Sequence, residues 1–136
     1  MIVLLVTQDS ARFSALVEGL RRQQEVELVR AATRAVGLTQ LKGKKIDLVI
    51  VDEQLDDMSG IAFVKQLVKI NPLVNTAIIS ALTKKEFHEA TEGLGVLMQL
   101  TVQPQETSAE ALLAILEKIG ALLKPAVQQP RDVKKS

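Results

Sequence analysis

The chain has 136 residues, 47% of them hydrophobic, and its 17 basic and 16 acidic residues leave a formal net charge of +1. This length and composition predict one globular domain, and the balanced charge argues against nucleic acid as the main partner. The absence of cysteine excludes disulfides, thiolate metal sites and cysteine nucleophiles. The apolar start has no basic leader, and no apolar run approaches the roughly 20 residues of a membrane span, so a cytoplasmic location is expected.

Five apolar, β-rich runs alternate with stretches of helical periodicity. Strands are predicted at Ile2–Val6, Val26–Ala31, Ile46–Val51, Thr76–Ser80 and Val96–Thr101. The first, third and fourth runs are continuously apolar, which is typical of strands buried on both faces of a parallel sheet. The alternation predicts an α/β fold, with a doubly wound five-stranded parallel sheet and five helices in three α/β/α layers.

The five helices are predicted between and after these strands. Capping boxes at Thr83–Glu86 and Thr107–Glu110 open the fourth and fifth. The second is short, opened by Thr33 and closed by Gly43. Four of the helices have an apolar stripe. On the first helix it is Phe13, Leu16, Val17 and Leu20, and on the second it is Val36 and Leu41. On the third it is Ile61, Val64, Leu67 and Val68, and on the fifth it is Leu112, Ile115, Leu116 and Ile119.

Residues 1–124 are predicted to form the domain, and the pattern stops in residues 125–136. This last stretch has no periodicity and contains Pro125 and Pro130. It is expected to be a disordered tail or a linker to a further, output domain.

The functional site is expected where the strands end, because open α/β sheets bind ligands at the carboxyl ends of their strands. Asp52 follows a buried strand, where a carboxylate needs partners. Asp9 follows the first strand; it either joins Asp52 in an acidic pocket or caps the first helix, and we favour the cap. Glu53, one residue further along, is expected to point away from Asp52.

Three segments resemble the response-regulator receiver domain: Ile46–Gly60, with Asp52 before a loop that ends Met-Ser-Gly, Ala77–Ala81 and Leu100–Pro104. The resemblance extends over about Ile2 to Leu123. It implies a flavodoxin-like fold and a non-enzymatic role in two-component phosphorelay signalling. It also implies that Asp52 is the phosphoacceptor, that Ser80 is the switch hydroxyl and that the bond before Pro104 is cis.

The chain departs from the family pattern at the positions that offset phosphoryl charge. Thr7 and Gln8 stand where the family has an acidic pair, and Gln103 stands where it has a lysine. Mg²⁺ prefers hard oxygen ligands, and those left are Asp52 and the backbone carbonyl of Gln54. The expected cofactor is therefore none, or weakly bound Mg²⁺.

These departures predict a pseudo-receiver, a module with an impaired Mg²⁺ and phosphorylation pocket that acts mainly by protein–protein interaction. The alternative is a working receiver phosphorylated on Asp52 by a histidine kinase. A flavodoxin-like flavin binder is a remote alternative, because Thr7–Ser10 contains no glycine and only 2% of residues are aromatic.

The expected partners are signalling proteins, a histidine kinase or an output partner, with no nucleic acid or membrane. Apolar residues in excess of a core stripe often mark an interaction site. They predict a homodimer or partner contact through the face made by the fourth helix, the fifth strand and the fifth helix. Its residues are Leu97, Met98, Leu113 and Leu123.

Overall fold

The computed structural model describes residues 1–120, in which five strands alternate with five α-helices. The strands are β1 (Ile2–Val6), β2 (Glu27–Ala31), β3 (Leu48–Val51), β4 (Thr76–Ile79) and β5 (Val96–Leu100). The helices are α1 (Ser14–Arg21), α2 (Arg34–Gly43), α3 (Gly60–Ile70), α4 (Lys84–Ala90) and α5 (Glu106–Lys118). A 3-10 turn at Ser10–Phe13 leads into α1. The predicted α/β architecture is therefore confirmed.

All five strands are parallel, in the order β2-β1-β3-β4-β5. Strand β1 lies between β2 and β3, so that Leu4 pairs with Val29 on one side and Val49 on the other. The direction in which strands are added reverses between β1 and β3. The carboxyl ends of these two strands are therefore the topological switch point at which such sheets place their sites.

Alternate residues of the central strands enter two separate cores, because successive side chains of a strand point to opposite faces. Val3 and Leu5 of β1 pack on the face covered by α1 and α5. Leu4 and Val6 pack on the face covered by α2, α3 and α4. Strand β3 divides in the same way, which explains why these strands are continuously apolar in sequence.

Helices α1 and α5 pack closely at Gly19, where there is no room for a side chain. A Cβ at Gly19 would lie 2.7 Å from the Ala109 Cβ and 3.1 Å from the Glu106 Cα. The apolar stripe predicted for α1 is buried there: Phe13, Leu16, Val17 and Leu20. Within residues 1–120 no helix is both long and apolar enough to cross a membrane.

Helix α5 differs from its prediction at both ends. It begins at Glu106, and the Ser108 hydroxyl accepts a hydrogen bond from the Gln105 amide, so the expected capping box at Thr107 is wrong. Its buried residues are Ala109, Leu112, Leu113 and Leu116, whereas Ile119 is 53% exposed. The helix ends at Lys118, so Ile119 lies past the region that the sheet covers. The buried stripe therefore has the predicted spacing but lies three residues, about one helical turn, closer to the N-terminus.

Candidate functional site

Thr7 and Asp52 meet at the switch point, each at the first position after its strand. Both are buried, with 5% and 7% of their surface exposed. The Thr7 hydroxyl donates a hydrogen bond to Asp52 Oδ2 at 2.5 Å. The same hydroxyl oxygen accepts a hydrogen bond from the Asp9 amide. Thr7 is therefore a direct hydrogen-bond partner of the Asp52 carboxylate. From the sequence, Thr7 was expected only to be a neutral residue in place of an acidic one, and this contact was not predicted.

Asp52 Oδ1 is bound by two further donors. Arg12 Nη2 donates to it at 2.5 Å, and the Glu53 amide donates at 2.8 Å. Together with the Thr7 hydroxyl, these contacts give both carboxylate oxygens partners from within the chain. A buried carboxylate is strongly unfavourable without such partners, so the surroundings of Asp52 are those of a compensated charge.

Arg12 is the site residue that sequence reasoning missed. It lies in the 3-10 turn before α1, and its guanidinium carbon lies 5.1 Å from the centre of the Phe13 ring. Its Nε donates to the Val102 carbonyl at 2.8 Å, while Nη2 binds Asp52. The available signal was an arginine a few residues after β1, in a turn at the switch point whose only other charged residue is Asp9.

Asp9 does not touch Asp52 in the described contacts, although both carboxylates face the same guanidinium. Asp9 Oδ2 lies 3.6 Å from Arg12 Nη1. Asp9 holds the N-cap position of the 3-10 turn, but its side chain makes no capping hydrogen bond. The N-cap of α1 itself is Phe13, so the expected side-chain cap by Asp9 is wrong. Gln8 is exposed.

Ser80 and Glu53 fix the loop between β4 and α4. Ser80 is 6% exposed, and its hydroxyl accepts a hydrogen bond from the Leu82 amide at 3.1 Å. The Glu53 carboxylate accepts a hydrogen bond from the Ala81 amide at 2.7 Å. The Glu53 side chain, expected only to point away from Asp52, therefore bridges the end of β3 to the loop after β4.

Gln99 of β5 holds the same loop from the other side. Its side-chain amide donates to the Ser80 carbonyl at 3.0 Å and to the Leu82 carbonyl at 2.7 Å. The loop is thus bound by side chains from both neighbouring strand ends. A cavity of about 440 Å³ lies beside it, lined in part by Leu82, Gln99 and Val102.

The loop after β5 differs from the expectation at Pro104. The described chain contains no cis peptide bond, so the bond between Gln103 and Pro104 is trans and the predicted cis-proline is wrong. For X–Pro bonds the trans form is favoured by about 0.5–1 kcal/mol when nothing else selects the cis form. Gln103 is exposed and its carbonyl accepts a hydrogen bond from the Gln105 side chain.

The loop after β3 is folded tightly against Asp52. Gln54 pairs with Ser59 in an isolated antiparallel bridge, and the Leu55 amide donates to the Met58 carbonyl. The Ser59 hydroxyl caps α3 by accepting from the Ala62 amide. The Gln54 side chain donates to two carbonyls of this loop, and its role as a metal ligand stays a prediction.

An exposed ion pair joins this loop to α2. Arg34 Nη2 lies 2.9 Å from Asp57 Oδ2, and the Arg34 amide donates to Asp56 Oδ1. The hydrogen bond from Arg34 holds the pKa of Asp57 below its ordinary value, and the same bond raises the pKa of Arg34. The pair ties the loop after β3 to α2.

The residues expected on an interaction face do not form one surface. Leu113 is only 6% exposed and packs in the core between α1, α5 and the sheet, so its assignment to the interaction face is wrong. It replaces Ile119 in the core stripe. Leu97 and Met98 are half-buried and line a groove of about 350 Å³ with Phe87. Leu123 lies outside the described residues.

Comparison with known proteins identifies this arrangement. The model of the response regulator receiver domain family matches residues 3–117. The chain therefore belongs to the response regulator receiver domain family. As in the sequence resemblance, Asp52 and Ser80 occupy the ends of β3 and β4.

Curated relatives are longer than this chain. The transcriptional regulatory protein ZraR of Salmonella typhimurium is 29% identical over 131 residues, which cover 92% of this chain and 29% of that protein. The transcriptional regulatory protein GlrR of Escherichia coli is 35% identical over 80 residues, 58% of this chain and 18% of that protein. The chain thus spans less than a third of the length of these relatives.

Solved structures share the fold at lower identity. A CheY-like receiver domain protein from Methanospirillum hungatei has a TM-score of 0.69 at 21% identity, covering 88% of this chain and 93% of that one. A chemotaxis response regulator of Vibrio cholerae has a TM-score of 0.72 at 19% identity, covering 85% and 98%. These likenesses confirm the predicted five-stranded CheY-like fold.

Proposed function

We propose that this receiver domain is a non-enzymatic signalling module whose Mg²⁺ and phosphorylation pocket is impaired and which acts mainly by protein–protein interaction. One observation carries the proposal: both oxygens of Asp52 are bound by donors of the chain itself, Thr7, Arg12 and the Glu53 amide. Each oxygen has a donor at 2.8 Å or less, one of them a cation, and these donors stabilise the negative charge and so lower the reactivity of the carboxylate as a nucleophile.

The residues around Asp52 do not fit a tightly bound divalent cation. Mg²⁺ takes hard oxygen ligands in octahedral geometry, usually one or two carboxylates together with several waters. Thr7 directs its hydroxyl hydrogen at Asp52, Gln8 is exposed, and the guanidinium of Arg12 lies where a cation would approach Oδ1. A second positive charge at that oxygen would be repelled. Within residues 1–120 no group of three or more His, Cys, Asp or Glu side chains is placed to hold a metal.

Calorimetric titration with Mg²⁺ tests this proposal directly. We expect half-saturation well above the millimolar range for the natural chain. The double variant Thr7→Asp, Gln8→Asp should bind markedly more tightly, since it restores two carboxylates. Glu92→Asp, an exposed carboxylate elsewhere, is the control and should leave binding unchanged. Tight, stoichiometric binding by the natural chain would overturn the proposal.

The second candidate is a working phosphoacceptor, and it is favoured by the retained pair of Asp52 and Ser80 at neighbouring strand ends. Acetyl phosphate separates the candidates, because an Asp52 oxygen would attack phosphorus and release acetate. We expect little or no phosphoprotein by mass spectrometry. If a phosphoryl group is found on Asp52 and Asp52→Asn abolishes it, the second candidate holds. A phosphoryl group on Asp56 or Asp57 would show that the assignment of the acceptor is wrong.

We further propose a contact with a second copy through α4 and β5. Strand β5 is an edge of the described sheet, and beside it lies the groove lined by Phe87, Leu97 and Met98. Sedimentation velocity of Leu97→Arg against the natural chain tests it, and a fall from dimer to monomer is expected. Val36→Arg is the matched control, since Val36 is 43% exposed on α2, which packs beside β2 at the other edge of the sheet. Monomers throughout would exclude the dimer.

The longer relatives suggest how the module is used. Both ZraR and GlrR are named as transcriptional regulatory proteins, and this chain matches only a part of each. We propose that it receives a signal from a histidine kinase or another partner and passes it to an output protein or domain. The cytoplasmic location expected from the sequence stays a prediction. Flavin binding is not proposed, because the chain belongs to the receiver family.

A further inference from the structure

Arg12 connects three loops at the carboxyl end of the sheet. It belongs to the turn after β1, its Nη2 binds Asp52 after β3, and its Nε binds the Val102 carbonyl after β5. The donors are two different nitrogens of one planar guanidinium. Because that group is rigid, its two bonds fix the distance and orientation between Asp52 and the loop after β5.

The contact with Asp52 is not an ordinary surface ion pair. The Arg12 side chain is 21% exposed and that of Asp52 is 10% exposed. Exposed pairs contribute little, but removing one partner of a buried pair leaves an uncompensated charge. Arg12 therefore supplies a positive charge that Asp52 needs, and Gln103 on the loop after β5 cannot supply it because it is neutral and exposed.

We propose that Arg12 is a positioning residue, a resident cation that keeps the loop after β5 fixed to Asp52 without any metal or phosphoryl group. In this state the Val102 loop is held by a bond within the chain, so it does not respond to Mg²⁺. The inference rests on the proposed function, since it takes the natural pocket to bind Mg²⁺ poorly. Beyond the proposed function, it assigns to Arg12 the positive charge that a metal would supply, and it assigns to the same residue the position of the loop after β5.

Backbone ¹⁵N relaxation and the Arg12 Nε–H signal test the bond to Val102. In the natural chain we expect rigid order parameters near 0.85 at Thr101–Gln103, and a fall towards 0.6 in Arg12→Ala. Asp52→Asn should shift the Arg12 Nε–H signal, because it removes the charge that orients the guanidinium. Arg34→Ala is the matched control: it deletes an exposed arginine–aspartate pair and should leave the loop unchanged.

Titration with Mg²⁺ provides a readout that a purely structural role would not change. The loop signals of the natural chain should not move, whereas those of Arg12→Ala should shift with Mg²⁺, because the cation at Asp52 Oδ1 is gone. Unchanged loop dynamics, or no Mg²⁺ response in Arg12→Ala, would overturn this inference while leaving the proposed function intact. A strong Mg²⁺ response in the natural chain would overturn both. Circular dichroism establishes that each variant is folded.

Discussion

Gly60 lies so close to Asp52 that a Cβ at position 60 would come within 2.1 Å of the Asp52 carbonyl oxygen. The Gly60 amide also donates to the Glu53 carbonyl at 2.9 Å. The first residue of α3 is thereby packed directly on the backbone that presents the Asp52 carboxylate. Only glycine fits at position 60 without a steric clash.

Gly60→Ala is therefore expected to displace the loop between β3 and α3. Overpacking typically costs about 1–3 kcal/mol, and a clash with backbone is at the upper end of that range. Urea unfolding would give the loss of stability, and NMR shifts at Asp52 and Glu53 would locate it. Gly93→Ala is not a suitable control because Gly93 has a φ of 82°; Gly43→Ala, with nothing within 4 Å of the added Cβ, is suitable.

Gly19→Ala tests the close packing of α1 on α5. Helix propensity alone favours alanine over glycine by about 0.8–1.0 kcal/mol. The added methyl group would, however, lie 2.7 Å from the Ala109 Cβ and 3.1 Å from backbone of Glu106. We expect the clash to exceed the propensity gain, with a net loss of about 1–2 kcal/mol in denaturant unfolding. If Gly19→Ala is as stable as Gly43→Ala, the helices have room to separate.

The loop after β4 should lose protection when its side-chain bonds are removed. The Glu53 carboxylate binds the Ala81 amide, so Glu53→Ala should make that amide exchange about tenfold faster. Gln99→Leu should loosen the same loop through loss of the bonds to the Ser80 and Leu82 carbonyls. Glu89→Ala, on the exposed side of α4, is the control. Equal exchange of Ala81 in all three variants would contradict these roles.

The capping box of α4 predicts a measurable pKa shift. The Thr83 amide donates to the Glu86 carboxylate at 3.0 Å, and this bond holds the pKa of Glu86 below its ordinary value. The charged form of Glu86 therefore stabilises the folded chain at pH values above the ordinary glutamate pKa. This stabilisation is lost as the pH falls through the lowered pKa of Glu86 in the folded chain. NMR titration of Glu86 should show the low pKa.

Thr83→Ala should raise the pKa of Glu86 towards normal, because the Thr83 side chain also contributes to the shift. Losing the cap should cost about 0.5–2 kcal/mol at neutral pH, and the difference from the natural chain should shrink in acid. Thr39→Ala, which removes a helical threonine that bonds only to the Ala35 carbonyl, is the control. An unchanged Glu86 titration in Thr83→Ala would contradict the proposed cause.

The fold could be predicted from the sequence because its determining pattern is local. Apolar runs gave all five strands within two residues at each end, and Thr83 and Glu86 predicted the start of α4 correctly. The stripe on α5 was misplaced, because periodicity alone does not show where the sheet stops covering a helix. Ile119 is exposed for that reason, whereas Leu113 is buried because α1 packs against α5.

The candidate site was predicted only in part, because its charges come from different loops. The strand ends predicted that Thr7 and Asp52 lie next to each other, and Ser80 follows the neighbouring strand β4. The link from Arg12 to Asp52 joins positions 40 residues apart, and that from Arg12 to Val102 joins positions 90 apart. No local pattern encodes such pairs. The contact of Glu53 with the Ala81 amide was missed for the same reason, since these positions are 28 residues apart.

The central place of β1 has a consequence for how the chain is made. In the sheet, Val3 of β1 pairs with Leu48 of β3. A growing polypeptide therefore cannot complete the pairing of β1 until β3 has left the ribosome. Until then, a fully apolar strand has an open edge, which is the kind of segment that pairs with other chains. We therefore expect nascent chains shorter than about the first half of the domain to depend on chaperones, and non-local pairing of this kind to slow refolding.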